Sequence, residues 1–288
     1  MIPTLNVDML GIQATLPETI ALARAYGFEG VDVDITEVAD LVDAHGPEYV
    51  RDLFASAGIR AGQWGLPLDF RRDEATWRQG LGELPRLVGA AQAVGIERTA
   101  TWIMPCSDEL DFKANFEHHV ARLRPVTEIL NEHGCRLGLE FIGPRTLRMS
   151  KRYPFVHTLD GMMELIQAIG AGNVGLLLDC YHVYTSHGSL AEVRRLTNSD
   201  IVVVHVNDAP AGVPVDEQLD LVRTLPGETG VIDIAGFLQA LQAIGYDGPV
   251  TPEPFSERLH TLSPARAARE AGEAMRRVWQ LAGLSMQL

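Results

Sequence analysis

One short grammar recurs along this chain: an amphipathic stretch, a glycine, a turn, then a β-branched strand. It is spelled out in YGFEGVDVDI, AGIRAGQW, VGIERTAT, HGCRLGLE and IGYDGPVTPEP. The strand-like runs are TLNVDM (4–9), GVDVDI (30–35), IRAGQW (59–64), RTATWIM (98–104), RLGLEFI (136–142), VGLLLDC (174–180), IVVVHVN (201–207) and PVTPEP (249–254). Helical periodicity fills the gaps, notably over 17–26, 74–95, 109–133, 233–244 and 264–282. Gly27, Gly58, Gly95, Gly134 and Gly245 stand where helices should stop. Strand and helix in strict alternation build a parallel sheet, because each crossover returns the chain to the same starting edge. Eight such strands in 288 residues, with no composition break, predict a single α/β domain over 1–288, closed as a (β/α)8 TIM barrel. An open doubly wound sheet is the competing arrangement. It usually opens with a Gly-rich phosphate turn after its first strand, and none follows Val7 or Ile35.

Composition narrows the function classes. A net charge of −14 disfavours nucleic acid and anionic membrane surfaces, since phosphate binding needs a basic footprint. No apolar run approaches the roughly 20 residues of a bilayer span. The opening MIPTLNVDMLG lacks the basic and apolar regions of a signal peptide, and three widely spaced cysteines fit reduced thiols, so a cytoplasmic enzyme is expected. A homodimer is compatible with this composition.

In such barrels the chemistry sits at the C-terminal strand ends. Strands five to eight end with Glu140, Asp179, His205 and Glu253; strands one to four end with Asp8, Asp34, Trp64 and Trp102. Each acid alone reads as a helix cap or loop ion pair, and His205 alone as a core histidine. Four together, at equivalent positions of successive strands, read as a metal site. Three converging carboxylates would repel strongly, and a divalent cation removes that cost. Oxygen-rich ligands with one His suit Mn²⁺, Mg²⁺, Co²⁺ or Zn²⁺, and no Cys joins the set. Asp8 and Asp34 are read as structural. Asp208 is either an anchor for His205 or a cap. Trp64 and Trp102 offer an apolar wall for a sugar face, with barrel-mouth packing as the plainer alternative. The basic stretch GPRTLRMSKRYP either covers the site or is a solvated face. His118 and His119, mid-helix, are expected at the surface, and HTLSP (260–264) as a loop and N-cap before the last helix.

The segments LGLEFIG, LLLDCYH, VVVHVND and LPGETGVIDIAGFLQALQAIGYDGPVTPEPF resemble the xylose-isomerase-like TIM-barrel superfamily of sugar isomerases and epimerases, which also contains endonuclease IV. The resemblance covers nearly the whole chain, and the run from His205 through Pro226 to Asp233 is most similar to 2-keto-myo-inositol isomerases and inosose dehydratases. It implies that Glu140, Asp179, His205 and Glu253 bind one divalent ion, and that His182, in an Asp-x-x-His pattern with Asp179, contacts a substrate oxygen. The chain also departs from the pattern. Ketohexose 3-epimerases carry a substrate-binding Glu where this chain has Thr146, and an Arg where it has Ala211. The Pro-Gly-Glu-Gly turn is one residue longer here (Pro226 to Gly230), which affects where Glu228 points. Arg223, just before that turn, is a candidate to take over a substrate contact, with a surface salt bridge as the alternative.

An α-hydroxy ketone offers two adjacent oxygens to a divalent ion, which polarises the carbonyl and stabilises an enediolate. The C–H proton then needs a base and its return an acid, roles that fall to Glu140 and Glu253. Approach from opposite sides gives epimerisation of a keto-sugar, and return to the adjacent carbon gives isomerisation of a keto-sugar or keto-cyclitol. Loss of a β-hydroxyl gives dehydration. Two other classes compete with this small-molecule enzyme. An endonuclease needs a three-zinc cluster with further His ligands at the third and fourth strand ends, where this chain has Gln63-Trp64 and Trp102. A non-catalytic barrel is hard to reconcile with an intact quartet.

Overall fold

The computed structural model describes residues 1–286. Its barrel strands are β1 (Ile2–Leu5), β2 (Gly30–Val33), β3 (Arg60–Gly65), β4 (Arg98–Ile103), β5 (Arg136–Phe141), β6 (Val174–Asp179), β7 (Ile201–Val206) and β8 (Pro249–Pro252). They close in sequential order, β8 pairing with β1, and every pairing is parallel. The (β/α)8 reading therefore holds and the open-sheet alternative fails. The principal helices are α1 (Leu16–Tyr26), α2 (Ile35–His45), α3 (Pro47–Ala57), α4 (Glu74–Val94), α5 (Phe112–Glu132), α6 (Leu159–Ile169), α7 (Cys180–Thr185), α8 (Ile234–Ala243) and α9 (Pro264–Leu281). All five anticipated stop glycines follow helices with φ between 67° and 82°, a conformation that disfavours other residues.

β6 and β7 are buried along their whole length, as parallel strands covered on both faces must be. The first strand differs from expectation. It ends at Leu5 because the Asn6 side chain accepts from the Asp8 and Met9 amides and curls the chain into a short turn. Asp34 caps α2 by accepting from Thr36 N–H at 2.8 Å, and Asp8 is exposed, which fits their structural reading. Ser263 precedes α9 without a side-chain cap bond.

His119 corrects its expectation. It is buried against Phe155, ring centroids 4.9 Å apart, with Nδ1 2.8 Å from the Asn115 carbonyl. Burial lowers its pKa to about 4, so it is a neutral core ring, while His118 is half-buried. The turn of α5 that carries both histidines faces the loop around Phe155 as well as water. Cys106, Cys135 and Cys180 are buried and unpaired. Among the described residues, no helix is long and apolar enough to cross a membrane.

Candidate active site at the barrel mouth

Glu140 is the penultimate residue of β5, Asp179 the last of β6, His205 the penultimate of β7, and Glu253 follows β8 directly. The cross-strand register sets Asp179 beside His205, and Glu253 N–H donates to the Val206 carbonyl, extending the ladder by one residue. One ligand atom from each side chain lies within 4.8 Å of all the others, and all four are buried.

Asp179 is held hardest. It caps α7 by accepting from Tyr181 N–H at 2.7 Å, and Asn207 Nδ2 donates to both of its oxygens at 3.1 and 3.2 Å. Arg223 reaches in from the loop after β7. Its Nη1 donates to Asp179 Oδ2 at 2.7 Å and to Glu253 Oε2 at 2.6 Å. The guanidinium is sandwiched between Tyr181 and Phe255, 4.5 and 4.8 Å from the ring centroids. Phe255 adopts φ 38°, a strained backbone two residues beyond Glu253. Buried charge of this kind requires partners, and Arg223 has them on every side.

Other polar atoms in the cluster have none. Both ring nitrogens of His205 and Oε1 of Glu140 are buried without a hydrogen-bond partner. His205 Nδ1 lies 3.3 Å from Glu253 Oε1, close enough for charge attraction but not aligned as a hydrogen bond. A buried imidazole with neither nitrogen satisfied is costly, and a cation ligated by His205 and Glu140 would give one ring nitrogen and the Glu140 oxygen a partner. The residues present fit a divalent metal.

Burial is the largest influence on each member, and charge decides the outcome. Glu140 is held well above the usual carboxylate range by burial and then by Glu253. Asp179 is pushed up to about 6, burial outweighing the pull of Arg223. Burial favours neutral His205, but Glu253, Glu140 and Asp179 together raise it to about 9. For Glu253 burial is overcome by His205 and Arg223, and its pKa falls to about 2. The metal-free cluster therefore holds protons where a cation would bind.

His182, from the first turn of α7, joins the cluster: its Nε2 is 3.6 Å from Glu140 Oε1. Arg223 joins it too, so the surface salt-bridge alternative is discarded. Trp102 is the register partner of Glu140, 40% exposed, with the Arg71 guanidinium stacked 3.8 Å from its ring centroid. Trp64 does not join the mouth surface. It is fully buried in the hydrophobic core, which favours its packing reading over a substrate wall. Glu228 is exposed and bonds back to Leu225 N–H at 3.0 Å, bracing its own turn. Asp208 accepts from the amides of Ala209, Thr229, Gly230 and Ile232, so it staples a loop and does not anchor His205. The basic stretch after β5 ties loops together: Arg148 donates to the Gly143 carbonyl at 2.6 Å, and Arg145 faces Asp216 at 3.9 Å.

Three contributors were not anticipated. Asn207 lies two residues beyond His205 and so on the same face of the strand, a signal present in HVND. Phe255 and Asp220 carry no comparable signal. Asp220 bonds the Arg223 guanidinium at 3.0 Å, and only the folded loop brings them together.

Comparison with known proteins identifies the family of this barrel. The profile of the family described as xylose isomerase-like TIM barrel matches residues 20–278. A solved structure of a xylose isomerase domain protein from Alicyclobacillus acidocaldarius is similar with TM-score 0.87 and 31% identity, covering 98% of this chain and 99% of that one. An inosose isomerase of Halalkalibacterium halodurans is 28% identical over 204 residues, 69% of this chain and 68% of that protein. A 3-dehydroshikimate dehydratase of Pseudomonas putida is 28% identical over 257 residues. That match takes in 88% of this chain but only 38% of the dehydratase.

Proposed function

The chain belongs to the xylose isomerase-like TIM barrel family, and from that membership and its barrel mouth we propose a divalent-metal-dependent isomerase or epimerase of a keto-sugar or keto-cyclitol. The observation that carries the reading is the buried convergence of Glu140, Asp179, His205 and Glu253 within 4.8 Å, with His205 and Glu140 atoms left unpartnered. The donor set suits Mn²⁺, Mg²⁺, Co²⁺ or Zn²⁺. Bound there, the ion supplies Lewis acidity to a substrate carbonyl and its neighbouring hydroxyl.

The chain's own residues do the rest. Glu140 and Glu253 stand at the ends of β5 and β8, three strands apart, and approach a planar enediolate of the substrate from different sides. One removes the proton next to the carbonyl and the other returns a proton. Arg223 holds Glu253 and Asp179 in place and carries positive charge beside the developing oxyanion. His182 faces the same space, and Trp102 stands at its edge. The likeness to inosose isomerase favours a keto-cyclitol among the possible substrates. The likeness to 3-dehydroshikimate dehydratase supports a second reading, elimination of water after the same proton abstraction.

Two experiments test this. A Glu140→Ala/His205→Ala pair should bind Mn²⁺ more than about 100-fold more weakly than the unaltered protein, since two of four ligands are gone. Unchanged Mn²⁺ affinity, by calorimetry, would sink the assignment. Keto-inositols, ketohexoses and ketopentoses incubated with enzyme and Mn²⁺ in deuterated water should gain deuterium next to the carbonyl. Turnover without exchange would point instead to a hydride shift, and a product lighter by one water to the dehydratase.

A further inference from the structure

The quartet occupies one half of the barrel mouth, and the other half carries a polar network that the chemistry above does not use. A cavity of about 250 Å³ lies where β1, β2 and β3 end, lined by Asn6, Asp8, Asp32, Asp34, Glu37 and Gln63 among apolar neighbours. Two of these acids are committed: Asp34 caps α2, and Glu37 accepts from Leu16 N–H at 2.8 Å. Asp32 is buried and held by neutral donors alone. Its Oδ1 accepts from the Gln63 backbone N–H at 3.0 Å. Its Oδ2 accepts from Gln63 Nε2 and Asn6 Nδ2, both at 3.3 Å, and from Thr251 Oγ1 at 3.1 Å. The backbone makes room for it, since a Cβ at Gly62 would lie 2.4 Å from Oδ1. A carboxylate buried without a cation is costly, which raises the question of what it does there.

Its most specific effect falls on Gln63, which it holds by two bonds. A carboxylate only accepts, so the Gln63 amide turns Nε2 toward Asp32 and Oε1 away from it. Gln63 is 4% exposed, and Oε1 is buried with no hydrogen-bond partner. An orphan acceptor on a side chain that lines a cavity calls for a donor, and the cavity is where one can enter. Charge narrows the donor. Four carboxylates line the space, with no Lys, Arg or His among the described residues around it. Such a field disfavours a carboxylate or phosphate group and favours hydroxyl hydrogens. Thr251, which bonds Asp32, is the register partner of His205 and stands two residues before Glu253, so the cavity adjoins the quartet across the seam of β8 and β1. We propose that this half of the mouth is a hydroxyl subsite for an uncharged polyol. Gln63 Oε1 accepts from a hydroxyl remote from the reacting carbonyl, and Asp32 is the positioning residue that turns this oxygen outward. The reacting carbonyl rests on the functional reading above; the preference for uncharged polyols and the coupling of Asp32 to Gln63 do not.

Calorimetry on the full chain with Mn²⁺ compares keto-inositols, ketohexoses and ketopentoses with 3-dehydroshikimate, which carries a carboxylate. The tightest neutral keto-polyol should bind about tenfold more tightly than the acid. An acid bound equally well or better overturns the proposal, and this comparison stands even where a variant does not fold. Gln63→Met, similar in length but without an acceptor, should weaken the neutral ligand about tenfold and leave Mn²⁺ affinity within about threefold, since no member of the quartet is touched. Polyol affinity unchanged by Gln63→Met also overturns it. In Asp32→Asn the new amide can donate to Gln63 Oε1 and so occupy the acceptor. Its loss should match that of Gln63→Met, and the double variant should bind no more weakly than either alone. Losses that add would mark two independent contacts and remove Asp32 as a positioning residue. Failure of the unaltered protein to bind Mn²⁺ would count against the metal-dependent reading alone, because neutral and acidic ligands can be ranked with or without the ion.

Discussion

At the scale of single residues, the carboxylates of this chain divide by what faces them. Asp179 and Asp208 are both fully buried acids at the end of barrel strands, yet they do different work. Asp179 meets cationic and amide donors from Arg223, Asn207 and α7, and keeps its oxygens at the shared cluster. Asp208 spends each oxygen on two backbone amides, Oδ1 on Ala209 and Ile232 and Oδ2 on Thr229 and Gly230. Asp208→Asn replaces one acceptor with a donor that faces amide N–H groups. The protein should lose about 1–3 kcal/mol of stability, seen in urea denaturation. Its metal affinity should not change, because no bond joins Asp208 to His205. A variant that unfolds normally but loses metal would restore Asp208 as an anchor of the imidazole. Sequence left this choice open for a physical reason: the sign at position 208 depends on where residues 229 to 232 return in space, and spacing along the chain does not encode that.

At the scale of elements, the barrel strands were legible because burial on both faces leaves a strong apolar signature and glycine marks each helix end. Boundaries were less so. β1 stops early through one side chain, Asn6, which competes with the ladder for its own backbone. The convergence of Glu140, Asp179, His205 and Glu253 was legible too, since closing eight parallel strands brings their C-terminal ends to one rim. The loop from Ala209 to Leu225 was not. Its path is set by side-chain bonds to distant carbonyls: Tyr181 O–H donates to Leu219 at 2.6 Å and Thr146 O–H to Gln218 at 2.7 Å. Thr146 thus helps fasten the strap that delivers Arg223. Tyr181→Phe removes one fastener and keeps the aromatic face against the guanidinium. A net loss of about 1 kcal/mol in local opening would speed amide exchange across 215–223 roughly fivefold while leaving β6 and β7 protected. Exchange unchanged throughout that segment would mean that the Tyr181 hydroxyl does not fasten the strap.

For the molecule as a whole, the cluster couples metal binding to protons, and the sign can be worked out. Without metal, His205 is raised to about 9 and so carries a proton near pH 7, while Glu140 is held well above the usual carboxylate range by burial and by Glu253. Asp179, at about 6, is largely ionised there, and Glu253, at about 2, fully so. A cation needs the imidazole neutral and the carboxylate of Glu140 charged, so it must displace the proton on His205 and overcome the raised proton affinity of Glu140. Affinity should therefore rise with pH between about 6 and 9 and level off once His205 is neutral without help. Below about 6 a further proton enters at Asp179, and affinity should fall more steeply. The check is calorimetry of Zn²⁺ or Mn²⁺ binding in buffers of different ionisation enthalpy, which counts protons released: release of the His205 proton is expected at pH 7. Stability must follow the same curve, because a ligand that binds only the folded state adds about 2.7 kcal/mol when present at a hundred times Kd. The metal-induced rise in Tm should thus be larger at pH 8 than at pH 6 for one fixed concentration of ion. A rise that is the same at both would mean that the ion binds without displacing these protons, and that the cluster is not where it binds.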